Sequence, residues 1–175
     1  MARLYELGTI AGLRLTAGRS AIVGSALLWL LLGGAGLELG LAPAAAIAGG
    51  LVALLLHWGS DIFHQLGHAR AARAAGHPMI GVRLWWLLST AIYPRDERAL
   101  PAAVHIRRAL GGPLASLLLT LVAAAITLAL RADGGAPWWV ALFVFLDNLL
   151  VLTLGAFLPL GFTDGSTLLY WWGRR

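Results

Sequence analysis

The sequence contains no cysteine and no lysine. Without cysteine, disulfide bridges and thiolate-bound metals are excluded, so any metal ion must be held by His, Asp or Glu. Charge is also scarce, because Asp, Glu and Arg make up only 12% of the 175 residues, whereas soluble domains carry about 25%. Hydrophobic residues make up 59%, and the mean hydropathy is +0.80. This composition indicates a membrane protein.

Four apolar segments approach or reach the ~20 residues that a membrane-crossing helix needs. They cover residues 20–37, 41–68, 109–130 and 137–160, and a short C-terminal helix is expected over 164–173. Residues 79–94 are too few to cross but are rich in β-branched and aromatic residues, which favours a short strand or hairpin at the membrane. The sequence predicts an all-α membrane protein forming a single domain over 1–175, with about four transmembrane helices and a short membrane-associated β element.

The arginines predict the orientation of these spans. They precede the first span, cluster between the second and third, and end the chain; these are Arg3, Arg14 and Arg19, then Arg70, Arg73, Arg83, Arg95, Arg98, Arg107 and Arg108, then Arg174 and Arg175. By the positive-inside rule both termini are cytoplasmic. We expect an integral protein of a prokaryotic inner (plasma) membrane, with Arg107 and Arg108 as interface anchors. Because the arginines flank apolar runs, the net charge of +5 does not indicate a nucleic-acid partner.

Polar side chains follow one face of the second span at spacings of three and four residues. They are His57, Asp61, His64, Gln65 and His68. An Asp near the centre of a span is unfavourable by about 2.5–3.5 kcal/mol on insertion scales, so such residues usually face a cavity or a partner and indicate function. The alternative is that the span ends near His57 and the later polar residues are wetted at the interface.

His64 and His68 are four residues apart, so one helix directs both imidazoles the same way. This spacing suits two ligands of a tetrahedral zinc ion, although the pair alone is a weak signal. Asp164 is a candidate third ligand, because the second and fourth spans run in the same direction and end at the same depth. Taken by itself, Asp164 is better explained as a helix N-cap or a turn residue before Gly165 than as a ligand.

Three stretches resemble the site-2 protease family of intramembrane zinc metalloproteases. The stretch FHQLGHARAARAAGHP resembles the family's HExxH helix, Pro159 to Gly165 resembles its Pro-x-x-x-x-Asp-Gly motif, and GGPLASLLL resembles its Gly-Pro helix. The resemblance covers roughly residues 45 to 170. It implies Zn²⁺ held by His64, His68 and Asp164, and transmembrane protein substrates cleaved in the bilayer. It also implies that 79–94 contains an edge strand that binds an unwound substrate by strand addition.

The chain departs from the family pattern at the catalytic base. Gln65 occupies the position of the glutamate that takes a proton from the metal-bound water. Glutamine can hydrogen-bond that water but cannot accept its proton, and general acid–base help is worth about 10²–10⁴-fold in rate. Ala156 and Ser116 also replace asparagines of the family pattern. Gln65 is either natural or introduced, and the other two departures favour a naturally divergent chain.

Three functional hypotheses remain open at this level. The first is a site-2-type metalloendopeptidase whose activity is in question because Gln65 replaces the base. The second is a catalytically dead pseudoprotease that binds or scaffolds other membrane proteins. The third is an unrelated membrane subunit whose polar stripe carries protons or another cofactor.

Four further polar residues have expected or open roles. Asp61 and His57 are expected to support the metal ligands from outside the ligand set, with Asp61 orienting a histidine ring or bridging to His57. Asp147 and Asn148 lie in the middle of the fourth span, and their role is open between helix packing and function.

Overall fold

Four helices of the computed structural model, which describes residues 4–174, are long and apolar enough to cross a membrane. They are α1 (Arg19–Glu38), α2 (Pro43–Ala74), α3 (Ala102–Ala129) and the segment Gly135–Phe157. The last begins as α4 (Gly135–Leu146) and continues through a π-helical stretch (Asp147–Leu154) and a 3₁₀ turn (Gly155–Phe157). A short helix, α5 (Asp164–Trp172), follows. The four predicted transmembrane helices are therefore confirmed, while Arg3 and Arg175 lie outside the described residues.

A four-stranded sheet adjoins the helices and is larger than the sequence predicted. Its strands are β1 (Leu4–Ile10), β2 (Leu13–Gly18), β3 (Gly81–Trp85) and β4 (Leu88–Ile92), in the order β1-β2-β3-β4. The β3–β4 hairpin confirms the β element predicted within 79–94 and leaves β4 at an edge. The β1–β2 hairpin was not anticipated, because its turn residues Ala11 and Gly12, both with positive φ, lack the Asn-Gly or Asp-Gly signal of such turns.

Small residues let α2 and α3 approach closely. A Cβ atom added to Gly67 would collide with the carbonyl oxygen of Gly111 and the side chain of Ala115, and one added to Gly111 would collide with the Gly67 carbonyl. This is the packing expected of small residues spaced four apart in membrane helices. The contact brings the histidine-bearing end of α2 against the Gly-Gly-Pro segment of α3.

The π-helical stretch changes which side chains of the fourth span face α2. A π-helix has a wider turn than an α-helix, and such stretches often occur at functional sites. Asp147 and Asn148, at its start, are buried and hydrogen-bond His57 and Ser60 of α2. The Asp147 carboxylate and the Asn148 amide nitrogen are therefore paired with polar groups on α2.

We predict that Gly67→Ala lowers the free energy of unfolding by roughly 1–3 kcal/mol, because the new methyl group forces α2 away from α3. Gly59→Ala is the matched control on the same helix, since a Cβ there meets nothing within 4 Å. That control should be neutral or stabilising by up to about 1 kcal/mol. Unfolding of the two variants in detergent micelles checks this; equal stability would contradict the close packing at Gly67.

Candidate metal centre

His64 and His68 lie on the face of α2 that points into the protein. Their exposed fractions are both 6%, although they sit in a helix whose other faces are largely apolar and exposed. One helical turn separates them, and the ring centroids are 4.7 Å apart. The sequence prediction that the two imidazoles point the same way is met.

A tight loop carries Asp164 to these rings. Residues 158–163 connect the 3₁₀ turn to α5, and Asp164 is the first residue of that helix, after the cap residue Thr163. The Thr163 hydroxyl donates to the Leu158 carbonyl, and the Gly161 amide donates to Ser166 Oγ at 2.7 Å. At Gly165 a Cβ would collide with the Phe157 carbonyl, so only glycine allows this approach. Asp164 is thus held by its loop, and Thr163 takes the N-cap position.

The three side chains converge on one point. His64 Nε2 lies 3.5 Å from Asp164 Oδ2, His68 Nε2 lies 3.4 Å from Asp164 Oδ1, and the two Nε2 atoms are 2.9 Å apart. One ligand atom from each residue lies within 4.8 Å of the other two. The structure therefore brings together the three residues that the sequence analysis singled out as ligands.

Hydrogen bonds from α3 orient both rings. His64 Nδ1 lies 2.9 Å from Ser116 Oγ, and His68 Nδ1 lies 2.7 Å from the Arg108 carbonyl oxygen. A carbonyl can only accept, so we assign a proton to His68 Nδ1, although the Gly112 amide also approaches it at 3.2 Å. In neutral His68, Nε2 then presents a lone pair towards Asp164 and His64, as a metal ligand must.

Gly112 of α3 lies directly against the imidazole nitrogens of His64 and His68. A Cβ at this position would collide with Nε2 of both His64 and His68. Any side chain here would therefore push both imidazole nitrogens out of position. Gly112 is therefore required for the two rings to converge.

The donor set fits a zinc ion. Two neutral imidazoles and a carboxylate are common zinc ligands, and at Zn–N and Zn–O distances near 2.0–2.1 Å a tetrahedron places its ligand atoms about 3.4 Å apart. The N–O separations of 3.4 and 3.5 Å match this spacing, and the N–N separation of 2.9 Å is somewhat shorter. Three protein ligands would leave one position for water or substrate, which is typical of catalytic rather than structural sites.

A chamber of about 870 Å³ opens beside the three ligands. Gln65 lies in its wall with only 4% of its surface exposed, and Ala156 lines it as well. Edge strand β4 forms part of the wall through Leu88, Ser89 and Thr90. The chamber therefore joins the candidate ligands, the residue at the base position and an open strand edge.

Several buried polar atoms around this chamber lack a partner within residues 4–174. They are Gln65 Oε1, Arg83 Nε and Arg108 Nε, and all three residues line the chamber. Unpartnered buried polar atoms are rare in folded proteins and are usually matched by water or a ligand. These polar atoms face the chamber, where water or a ligand can satisfy their hydrogen-bonding capacity.

Asp61 and His57 lie on the same buried face of α2 as the candidate ligand histidines. The hydrogen bonds of the His64 and His68 rings go to α3, whereas His57 contacts Asp147 and the Leu87 carbonyl. Asp61 is 2% exposed and faces the chamber. A supporting role for these two residues at the metal stays a prediction, and the groups that orient the rings, Ser116 and the Arg108 carbonyl, were missed.

Arg108 is a buried structural residue, and its interpretation as an interface anchor was wrong. It is 5% exposed, its guanidinium donates to both carboxylate oxygens of Glu97 and to the His77 carbonyl, and it lies 4.1 Å over the ring of Tyr93. Hydrogen bonds from Arg108 hold the pKa of Glu97 below its usual range, and burial raises the pKa of Tyr93 to about 12. The cluster secures the residue whose carbonyl orients His68.

We predict that Glu97→Gln destabilises the protein at pH 7 by roughly 1.5–3 kcal/mol, because Arg108 loses its charged partner. Since the folded pKa of Glu97 is lowered, its contribution is complete above the unfolded value near 4.5 and is lost as pH falls through the folded value. The stability difference between parent and variant should therefore shrink below about pH 4.5.

Thermal unfolding in detergent at pH 7 and at pH 3.5 measures this difference. Glu38→Gln, at an exposed acidic residue that ends α1, is the matched control and should behave like the parent at both pH values. A Glu97→Gln deficit that stays the same at both pH values would contradict the ion-pair explanation.

Comparison with known proteins supports the fold. The structure is similar to that of the "Site-2 Protease from Methanocaldococcus jannaschii", with a TM-score of 0.63 and 16% sequence identity, over 95% of this chain and 70% of that chain. At 16% sequence identity, this structural similarity establishes the fold alone, which is like that of an intramembrane protease. No family model matches the sequence, and no curated protein matches it either.

Proposed function

We propose that the chain is a site-2-protease-like zinc metalloprotease of transmembrane protein substrates, in which Gln65 replaces the general base and slows hydrolysis. The observation that carries this proposal is the convergence of His64, His68 and Asp164 within 4.8 Å, at the wall of a chamber bordered by an unpaired strand edge. The similar fold of a site-2 protease supports the same reading.

His64, His68 and Asp164 would hold the zinc ion. When bound there, zinc supplies a Lewis acid that lowers the pKa of a water molecule to near neutrality and polarises a peptide carbonyl. The chain's contribution is to fix the imidazole orientations through Ser116 and the Arg108 carbonyl, and to hold Asp164 in its loop. Removing such supporting hydrogen bonds typically weakens metal affinity 10–100-fold.

Gln65 determines how far the reaction can proceed. Its amide can orient a water molecule or a substrate carbonyl through hydrogen bonds, but it has no basic site for the proton that hydrolysis releases. Because glutamine at position 65 removes a base and not a candidate ligand, it slows the proton-transfer step without removing a metal ligand. Ala156, in the same chamber wall, also lacks the hydrogen-bonding group of the family's asparagine.

Edge strand β4 supports a transmembrane protein as the substrate class. A membrane helix must unwind before its peptide bonds can be attacked, and the freed N–H and C=O groups must then be paired. The open edge of β4 can pair them by strand addition, next to the candidate ligands. The bilayer and a membrane-embedded protein are therefore the proposed partners.

The positions of the arginines support a prokaryotic inner-membrane protein with cytoplasmic termini. The sheet, the carboxyl end of α2 and the amino end of α3 lie at the arginine-rich end of the helices. In this orientation the metal centre faces the cytoplasmic side of the membrane.

A second candidate function is a catalytically dead pseudoprotease that binds or scaffolds membrane proteins. The combined loss of the base at Gln65 and of the asparagine at Ala156 favours it. In this case the strand edge and the chamber bind a partner that is never cut. Both candidates share the fold and the metal centre and differ in whether restoring the base restores cleavage.

We predict about one zinc ion per detergent-purified chain, lost in His64→Ala and in Asp164→Ala, because two remaining ligands cannot hold zinc tightly. Elemental analysis after extensive dialysis measures this. His77→Ala is the matched control, since His77 lies outside the ligand cluster, and it should keep its zinc.

Gly112→Ala extends this test without touching a ligand. The added methyl group would displace both Nε2 atoms, so zinc should be held more weakly than in the parent. A parent protein without zinc under metal-replete purification, or a zinc content unaffected by these changes, would contradict the proposed metal centre.

We predict that Gln65→Glu increases proteolysis of a transmembrane substrate by about 10²–10⁴-fold, because a carboxylate can take the proton that an amide cannot. Cleavage of a reconstituted panel of single-span peptides, followed by mass spectrometry, measures the increase. The double variant Gln65→Glu/His64→Ala is the control and should remain inactive.

Failure of Gln65→Glu to cleave, in protein that binds zinc normally, would favour the pseudoprotease. Adding Ala156→Asn to Gln65→Glu then tests whether the missing asparagine side chain is what still prevents cleavage. Cleavage by the double variant would show that it is. If the double variant Gln65→Glu/Ala156→Asn binds zinc and still does not cleave, the protease proposal is wrong.

A further inference from the structure

The tip of the β3–β4 hairpin is inserted between the first two transmembrane helices. The connection consists of Trp86 and Leu87. A Cβ on Gly24 of α1 would collide with the Trp86 carbonyl, so the hairpin and α1 touch backbone to backbone. The hydroxyl of Ser20 also accepts a hydrogen bond from the Trp86 amide at 3.3 Å.

Trp86 has a backbone conformation that needs support from its surroundings. Its φ of +49° lies in the left-handed region, which non-glycine residues rarely adopt. Such conformations persist where neighbouring structure holds them, and they concentrate at functional sites. Here the neighbours on α1 hold Trp86, and α2 holds the next residue.

His57 of α2 binds the other residue of the tip. Its Nε2 lies 2.9 Å from the Leu87 carbonyl oxygen, and its Nδ1 lies 3.0 Å from Asp147 Oδ2 in the fourth span. His57 is 3% exposed and Asp147 is 8% exposed. One imidazole therefore joins α2, the π-helical stretch and the hairpin tip in the interior of the protein.

Proton counting shows why this arrangement is tolerated in a membrane. The Leu87 carbonyl can only accept, so Nε2 carries a proton, and one further proton lies between Nδ1 and Asp147. Whether that proton sits on the ring or on the carboxyl group, the pair as a whole carries no net charge. A buried, hydrogen-bonded pair without net charge avoids the large penalty of an isolated charge in the bilayer.

We propose that the His57–Asp147 pair is a positioning device that fixes the depth of edge strand β4 beside the metal centre. Strand β4 begins at Leu88, directly after the carbonyl that His57 binds, and its next residues line the chamber. Outside the hairpin, β4 has no strand neighbour among residues 4–174. Helix α2 also packs against β4, with Asp61 beside Ser89, and the tip is where both α1 and α2 contact the hairpin. The inference that the depth of β4 affects the binding of a substrate strand rests on the proposed function.

Because the chain contains no cysteine, spin labels attach only at cysteines that are introduced. Nitroxide labels are placed at Thr90→Cys on β4 and Leu39→Cys beyond the far end of α1, both exposed. Pulsed electron spin resonance measures the distance distribution between them. The control pair, Thr9→Cys with Leu39→Cys, reports on strand β1, away from the tip.

Three changes then separate positioning from stability. In Asp147→Asn the amide can still donate to Nδ1 of a neutral His57, so the Leu87 bond and a narrow β4 distribution should be kept. In Asp147→Leu the ring loses the partner that orients it. The double variant His57→Leu/Asp147→Leu replaces both partners by apolar groups, which is often neutral for stability, yet it removes the bond to Leu87.

We expect the β4 distribution to broaden or shift in Asp147→Leu and in the double variant, with the β1 control unchanged. Zinc content is measured in the same variants, so that a change in metal binding and a displacement of β4 are recorded separately. An unchanged β4 distribution in the double variant, or equal broadening of the β1 control, would overturn the proposal. The distances between the spin labels can be measured even if the protein binds no zinc. Failure of the positioning proposal can therefore be distinguished from failure of the proposed function.

Discussion

The structure depends on providing hydrogen-bond partners, away from water, for the polar side chains on one face of α2. His57, Ser60, Asp61, His64, Gln65 and His68 are all buried on a helix that otherwise suits a lipid environment. Polar groups without partners are costly in such surroundings, so other elements must bring partners to this face. The fourth span meets His57 and Ser60, α3 meets both candidate ligand histidines, and the loop before α5 brings Asp164. The tertiary arrangement of the helices follows largely from this one requirement.

Close backbone approach makes those contacts possible. Glycines allow α2 to lie against α3, the hairpin tip to lie against α1, and α5 to lie against the end of the fourth span. A membrane provides little hydrophobic force between helices, so close packing and hydrogen bonds have to hold them together. The same glycines that pack the helices therefore determine whether the two imidazoles and the carboxylate can converge. Stability and site geometry are coupled at these positions.

Three candidate metal ligands converge beside a buried glutamine. His64, His68 and Asp164 are oriented by groups on other elements, and the chamber beside them retains a strand edge. Gln65 keeps the size and hydrogen-bonding capacity of a glutamate but not its basicity. The three candidate ligands and the open strand edge therefore meet at one chamber.

The sequence by itself determined the membrane class, the four spans, the hairpin within 79–94 and the three residues that converge. These features come from hydropathy, from helical spacing and from short motifs, all of which are local properties of the chain. Only the tertiary structure decided that Arg108 is buried beside Glu97, that Ser116 and a backbone carbonyl orient the imidazoles, and that His57 holds the hairpin tip through Asp147. These contacts join residues 11 to 90 positions apart, and nothing in a local pattern specifies which polar group meets which. The β1–β2 hairpin was missed for a related reason, since pairing with β3 stabilises strands whose own turn signal is weak.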